Sequence, residues 1–177
     1  GFSFRSMRLP LLPTLFAGVS MAAYNLFFFA GVARAGVAIG TIVTIGSAPI
    51  LAGLMGWLFL AERPTARWGL ATGLAILGGI LLVLPGASIS LDYGGILLAL
   101  ISGLAYAVFS IASKGMLKDT PPDVAMAIVF TLGGLMLSPI LFTSDLSWLG
   151  QSSGWLSALF LGLISTALAY ILFARGL

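Results

Sequence analysis

Cysteine and histidine are both absent from these 177 residues. Their absence removes disulfides, thiolate chemistry, His-ligated metals, haem and any histidine-based catalytic triad. Charge is nearly as scarce, with 7% of residues being Asp, Glu, Lys or Arg. A soluble domain carries about 25%. So few charges cannot cover a water-facing surface, so the solvent for most of this chain is lipid. Eight Lys and Arg residues give a net charge of +3. They are too scattered to track phosphates, so nucleic acid is not an expected partner. No signal-peptide pattern precedes the first apolar stretch. The chain opens on Gly1 and closes on Leu177 at the end of an apolar run, and it is expected to be a fragment of a longer protein.

What fills the sequence instead is apolar. Hydrophobic residues make up 60% of it and mean hydropathy is +1.16. Six apolar runs fall at about 10–33, 37–61, 66–86, 92–116, 122–143 and 154–175. At about 1.5 Å per residue each matches a hydrocarbon core of about 30 Å. Backbone groups in lipid must pair internally, so the runs are expected to be helices. All five acids (Glu62, Asp92, Asp119, Asp123 and Asp145) lie at the ends of runs or between them. Thr65 and Asp92 are placed to cap the third and fourth helices, and Ser152 or Ser153 the sixth. Asp119-Thr120-Pro121-Pro122-Asp123 offers a cap, a first-turn proline and an early acid to the fifth.

If the runs alternate in direction, Arg5, Arg8, Arg63, Arg67, Lys114, Lys118 and Arg175 share one side and Arg34 stands alone on the other. That bias makes the first side cytoplasmic. Residues before about 10, 62–65 and 114–121 are therefore expected in the cytoplasm. Trp68 falls at that boundary, and Tyr93, Trp148 and Trp155 at the opposite one. Small residues mark helix contacts. Gly36, Gly40, Thr44, Ala48, Ala52 and Gly56 recur every fourth residue, as do Gly95, Ala99, Gly103 and Ala107, with Gly69 and Gly73 between. One internal repeat is visible. Ala23-Tyr24-Asn25-Leu26-Phe27 matches Ala169-Tyr170-Ile171-Leu172-Phe173 at four of five positions. The two copies lie five runs apart, so the second inserts upside down, the inverted-repeat plan of many transporters.

The stretch SAPILAGLMGWLFLAERPTARWGLATGLAILGGILLV resembles the fourth and fifth helices of the EamA-type branch of the drug/metabolite transporter superfamily. The shared features are Pro49 inside a helix, the Leu60-Ala61-Glu62-Arg63 close, Thr65, Gly69 and Gly79-Ile80. DYGGILLALISGLAYAVFSIASKGML resembles the sixth helix, with Tyr106 where the family often has Trp. The resemblance implies an all-α integral membrane protein, a polytopic bundle of ten helices in two inverted five-helix repeats. About six of them, helices three to eight, are expected here. Residues 1–86 would be the last three helices of the first repeat, and 87–177 the first three of the second.

The candidate site residues are the polar and aromatic ones at mid-run: Tyr24, Asn25, Thr44, Ser47 beside Pro49, Tyr106, Ser110, Thr166 and Tyr170. A Ser or Thr in a membrane helix commonly bonds its own backbone one turn back, and a mid-span Tyr commonly bonds a neighbouring helix. Asn25 has an amide that needs partners at both ends. Pro49 removes a backbone donor and frees the carbonyl near Ile45, which Thr44, Ser47 or a ligand could answer. Such a lining would be neutral and suit amphipathic metabolites. Glu62 opposes the dipole at its helix terminus and seeks a cation. With Arg63 it is the candidate for a cytoplasmic latch. No acid lies inside a run away from its ends, so either the coupling group lies outside this chain or transport is by facilitated diffusion or exchange. No nucleophile has a base in reach, so the chain is read as neither an enzyme nor a cofactor or metal binder.

The expected function is transport, in the export direction, of a small, amino-acid-related metabolite across the inner (cytoplasmic) membrane. The two repeats would rock about a midplane site lined by helices three, four, six and eight. The expected partners are the substrate, the lipid bilayer and, in a homodimer, a second copy. The competing reading is a non-transporting membrane scaffold or assembly partner.

Overall fold

A computed structural model describes residues 10–83 and 92–176. Among them there is no strand. Six helices follow one another: α1 (Leu11–Ala35), α2 (Val37–Leu60), α3 (Ala66–Val83), α4 (Tyr93–Leu117), α5 (Pro122–Leu141) and α6 (Ser152–Gly176). Five of the six are long and apolar enough to cross a membrane. The exception is α3, whose apolar stretch Ala66–Leu81 is shorter. The end of the 66–86 run, residues before 10 and the 86/87 boundary between the expected repeats lie outside the described residues.

The helix boundaries have local causes. A single residue, Gly36, separates α1 from α2, at φ 84°. That left-handed backbone is open to glycine at little cost, so it lets α2 begin at once. In α2, Gly40 then lies against Val32 of α1, where an added Cβ would stand 3.0 Å from the Val32 Cα. The chain leaves α2 through Ala61, at φ 54°. The N–H groups of Ala61 and Glu62 both turn back onto the Gly56 carbonyl. Thr65 Oγ1 accepts the Trp68 N–H at 3.2 Å and caps α3. Asp92 Oδ1 accepts the Gly95 N–H at 2.9 Å and caps α4.

Two expected caps are not made. The residue ahead of α5 is Pro121, without a side-chain cap, while Pro122 and Asp123 fill the first turn. Proline at this position gives up a donor that the first turn leaves unsatisfied anyway. Ahead of α6 stands Gln151, also without a side-chain cap. Ser152 and Ser153 are already helical.

The chain divides into two compact units that cut across sequence order. One joins Gly1–Val19 to Ala112–Leu177, and the other is Ser20–Ile111. Within Ser20–Ile111 the small-residue seams bring backbones close, as packing in lipid requires. A Cβ on Gly31 would lie 3.0 Å from the Ala99 nitrogen, and one on Gly95 would lie 2.5 Å from the Ala35 nitrogen. Gly40, Thr44, Ala48 and Gly56 of α2 are buried, whereas Gly36 is exposed and Ala52 half-buried. The Trp68 indole of α3 lies over Gly53 of α2. Among the described residues nothing stands within 4 Å of the missing Cβ of Gly69 or Gly73.

Within the other unit, Gly18 of α1 receives Leu132 of α5, and Gly115 of α4 lies against Pro13. Residues Phe160–Leu168 of α6 form a π-helical stretch, wider than the α-helix on either side. Large apolar side chains are exposed along α2, α3, α5 and α6. In water this would be an aggregating surface, and in lipid it is the expected one.

Candidate functional site

The candidate residues fall into two groups, one in each compact unit. In Ser20–Ile111 the group is built on α4. Its buried face carries Ala99, Gly103 and Ala107, four apart, with Ser102 and Ser110 beside them and Tyr106 half-buried among them. Ser102 donates from its hydroxyl to the Tyr24 carbonyl of α1 at 2.9 Å. Thr44 of α2 donates to the Ala99 carbonyl at 3.1 Å. One turn of α4 therefore holds both α1 and α2 by side chain to backbone bonds. Each such bond contributes about 0.6–2 kcal/mol in a membrane interior.

Close to these ties is an aromatic cluster. The Tyr24 ring lies 5.4 Å from Tyr106 at 59° and 5.9 Å from Phe28 at 24°. Tyr106 lies 5.6 Å from Phe109. Tyr24 and Tyr106 stand near the middle of 25-residue helices, the depth at which a carrier holds its substrate. Tyr24, Phe28 and Tyr106 are half-buried, while Phe109 is fully enclosed. Three of these rings thus keep surface that could meet a ligand.

Asn25 and Ser47 each donate within their own helix. Asn25 donates Nδ2–H to the Met21 carbonyl at 2.9 Å, one turn back in its own helix. Ser47 Oγ donates to the Thr44 carbonyl at 3.2 Å. That is one residue before the Ile45 carbonyl that Pro49 frees, and the Ile45 side chain is exposed, not turned into the bundle. Pro139 of α5 offers the contrast. There the neighbouring Ser138 donates to Leu135, the carbonyl that this proline frees, at 2.7 Å. Opposite Ser47 stands Gly103, with no room for a Cβ and with the Thr44 carbonyl 3.2 Å from where one would be. The proline turn of α2 is thus pressed directly onto α4.

Thr166 and Tyr170 belong to the other unit. Thr166 is half-buried within the π-helical stretch, and Tyr170 follows it at the return to α-helix. The Tyr170 ring meets Phe130 of α5 edge-on at 4.8 Å and Phe173 at 6.0 Å. Glu62 and Arg63 are exposed in the α2–α3 turn. The Glu62 carboxylate approaches Gly56, with Oε2 3.4 Å from the position of an added Cβ.

Four participants escaped the sequence reading: Phe28, Ser102, Phe109 and Phe130. For two of them a signal existed, since Tyr24–Phe28 and Tyr106–Phe109 have helical i,i+4 and i,i+3 spacing. An ion pair was also missed. Arg34 Nε and Asp92 Oδ2 lie 3.3 Å apart, as do Arg34 Nη2 and Asp92 Oδ1. The Gly95 N–H and then the Arg34 guanidinium hold the Asp92 carboxyl below the usual carboxylate range. Among the described residues no cluster of three or more acidic side chains could hold a metal.

Two stretches, residues 2–84 and 93–177, match the EamA-like transporter family. The chain belongs to that family. An uncharacterized transporter of Bacillus subtilis, YwfM, is 42% identical over 161 residues, covering 91% of this chain and 54% of its own length. Two uncharacterized transporters of Archaeoglobus fulgidus are each 29% identical, over 164 and 120 residues. They cover 90% and 68% of this chain, and 57% and 42% of their own lengths. The EamA-like chain thus spans about half the length of the curated relatives it matches. No solved structure matches it. Family membership and the five apolar helices make this a multi-pass membrane protein.

Proposed function

We propose that this EamA-like chain forms the central helices of a carrier that exports a small, amphipathic, amino-acid-related metabolite across the cytoplasmic membrane. Residues 1–86 and 87–177 are parts of two inverted repeats, and the turns at 62–65 and 114–121 face the cytoplasm. The observation that carries the reading is the half-buried Tyr24–Tyr106 pair, 5.4 Å apart at mid-helix, in a chain of a transporter family. Half-buried rings with hydroxyl tips give a planar or amphipathic solute an apolar wall and a hydrogen-bonding end. Thr166 and Tyr170 are the second repeat's own candidate substrate contacts. The other helices that complete the site lie outside this chain.

Movement is by alternating access, with the repeats rocking about the midplane. Pro49 leaves α2 without one internal hydrogen bond, and α2 is the helix that bends. Glu62 and Arg63 form the cytoplasmic latch. The test is efflux from cells that express the full-length protein and are preloaded with a panel of amino-acid-related compounds. Faster efflux of at least one compound than in control cells is expected, and Tyr106→Ala should abolish the difference. Efflux equal to that of control cells across the panel would refute export.

A further inference from the structure

The single cation on the sparsely charged side of the sequence, Arg34, ends up paired with Asp92, 58 residues further on. Asp92 has two tasks there. One carboxylate oxygen, Oδ1, caps α4 through the Gly95 N–H, and both oxygens meet the Arg34 guanidinium. Directly beneath the pair the helices touch backbone to backbone. A Cβ on Gly94 would stand 2.5 Å from Arg34 Nη2, and one on Gly95 2.5 Å from the Ala35 nitrogen. One turn deeper, a Cβ on Gly31 would lie 3.1 Å from the Gly95 carbonyl oxygen. At this end α1 and α4 are therefore in close contact. The next feature inward is the Ser102–Tyr24 bond and the Tyr24–Tyr106 cluster.

We propose that Arg34 and Asp92 form the latch of a gate on the non-cytoplasmic side, holding the ends of α1 and α4 together over the aromatic site until the carrier opens outward. The proposal rests on the alternating-access reading above. The chemistry suits a reversible closure. Arg34 is 57% exposed and Asp92 35%, so water replaces the lost partner at little cost when the pair parts. The capping bond to Gly95 does not need Arg34, so α4 keeps its first turn with the gate open. The glycines supply close contact without side chains that would have to move aside. Opposite charge at this end also mirrors the Glu62–Arg63 turn proposed for the cytoplasmic end.

The test uses the full-length protein with other cysteines removed and one reporter, Asn25→Cys. A membrane-impermeant thiol reagent is applied from the non-cytoplasmic side. Arg34→Gln and Asp92→Asn should each raise the labelling rate about twofold to fivefold, the bias an exposed ion pair can supply. Asn at position 92 keeps a capping acceptor, so the helix terminus survives. The double variant should label no faster than the faster single one, because both act through one contact. Salt at about 1 M, where the screening length is about 3 Å, should speed labelling of the parent and not of the double variant. Unchanged labelling in both single variants, additive effects in the double one, or a parent indifferent to salt would each overturn the latch. Loss of the latch alone leaves parental transport intact, whereas a parent that moves no substrate refutes the transport reading itself.

Discussion

Thr44 and Ser102 use their hydroxyls in different helices for the same purpose, to tie a neighbouring helix to α4. Both residues are buried, and in lipid an unpaired hydroxyl there would be costly. Thr44→Val keeps the shape and removes the donor. It should destabilise the detergent-solubilised protein by about 0.6–2 kcal/mol, read as a lower melting temperature. Ser47→Ala should cost less, because its bond stays within α2. Asp92 makes a prediction about pH. Its folded carboxyl lies below the usual range because of the Gly95 N–H and then Arg34. The bond therefore favours the folded state above the ordinary carboxylate value of about 3.9. That stability is lost as pH falls through the lowered folded value. Asp92→Asn should make the melting temperature less dependent on pH below about 4 than it is in the parent. At this scale the sequence was partly legible. Asp92 and Thr65 read correctly as caps because a cap needs only local spacing. The bonds of Thr44 and Ser102 were not legible, since both cross to a helix more than 50 residues away.

Among the elements, α2 is the most unusual. It keeps Pro49 at its centre, and Ser47 answers the wrong carbonyl for a simple repair. A proline inside a helix costs about 3 kcal/mol relative to alanine. In α5 the equivalent defect sits near the end and is mended by Ser138, which makes it a termination device. In α2 the defect is central and lies against Gly103 with no spare room. Pro49→Ala should leave the melting temperature unchanged or raise it, by up to about 3 kcal/mol of stability. It should slow transport severalfold if α2 bends during the cycle. A faster or unchanged rate in a stable variant would assign Pro49 to packing alone. The proline, the seam and the helix were all readable from sequence, because each has a fixed period or a fixed backbone consequence. The fate of the freed carbonyl was not, because it depends on which face of the turn meets α4. The π-helical stretch of α6 was equally hidden. Its residues have the same apolar character as the α-helical turns around them.

For the whole molecule, composition and hydropathy already required helices in lipid, and the Pro49-to-Arg63 block already pointed to the family. The six runs became six helices, but only five have spanning length among the described residues. The end of the third run lies outside the described residues. The candidate residues fall into two groups in a way that no linear reading anticipates. Tyr24 and Tyr106, 82 positions apart, meet on α1 and α4, whereas Tyr170 pairs with Phe130. The five-residue match between the Tyr24 and Tyr170 segments predicts equivalent roles, not contact. Each tyrosine does keep aromatic company of its own. In the proposed carrier, this aromatic, uncharged midplane is where a metabolite is held.

The direct measurement is substrate counterflow by the full-length protein in proteoliposomes, with a panel of amino-acid-related metabolites. The account predicts uptake of labelled solute against an internal unlabelled pool for at least one compound. It further predicts that Tyr24→Ala and Tyr106→Ala each reduce that uptake at least about tenfold, equivalent to 1.4 kcal/mol of lost binding, while Lys118→Gln leaves it unchanged. No counterflow for any compound, or counterflow indifferent to both tyrosines, would contradict it.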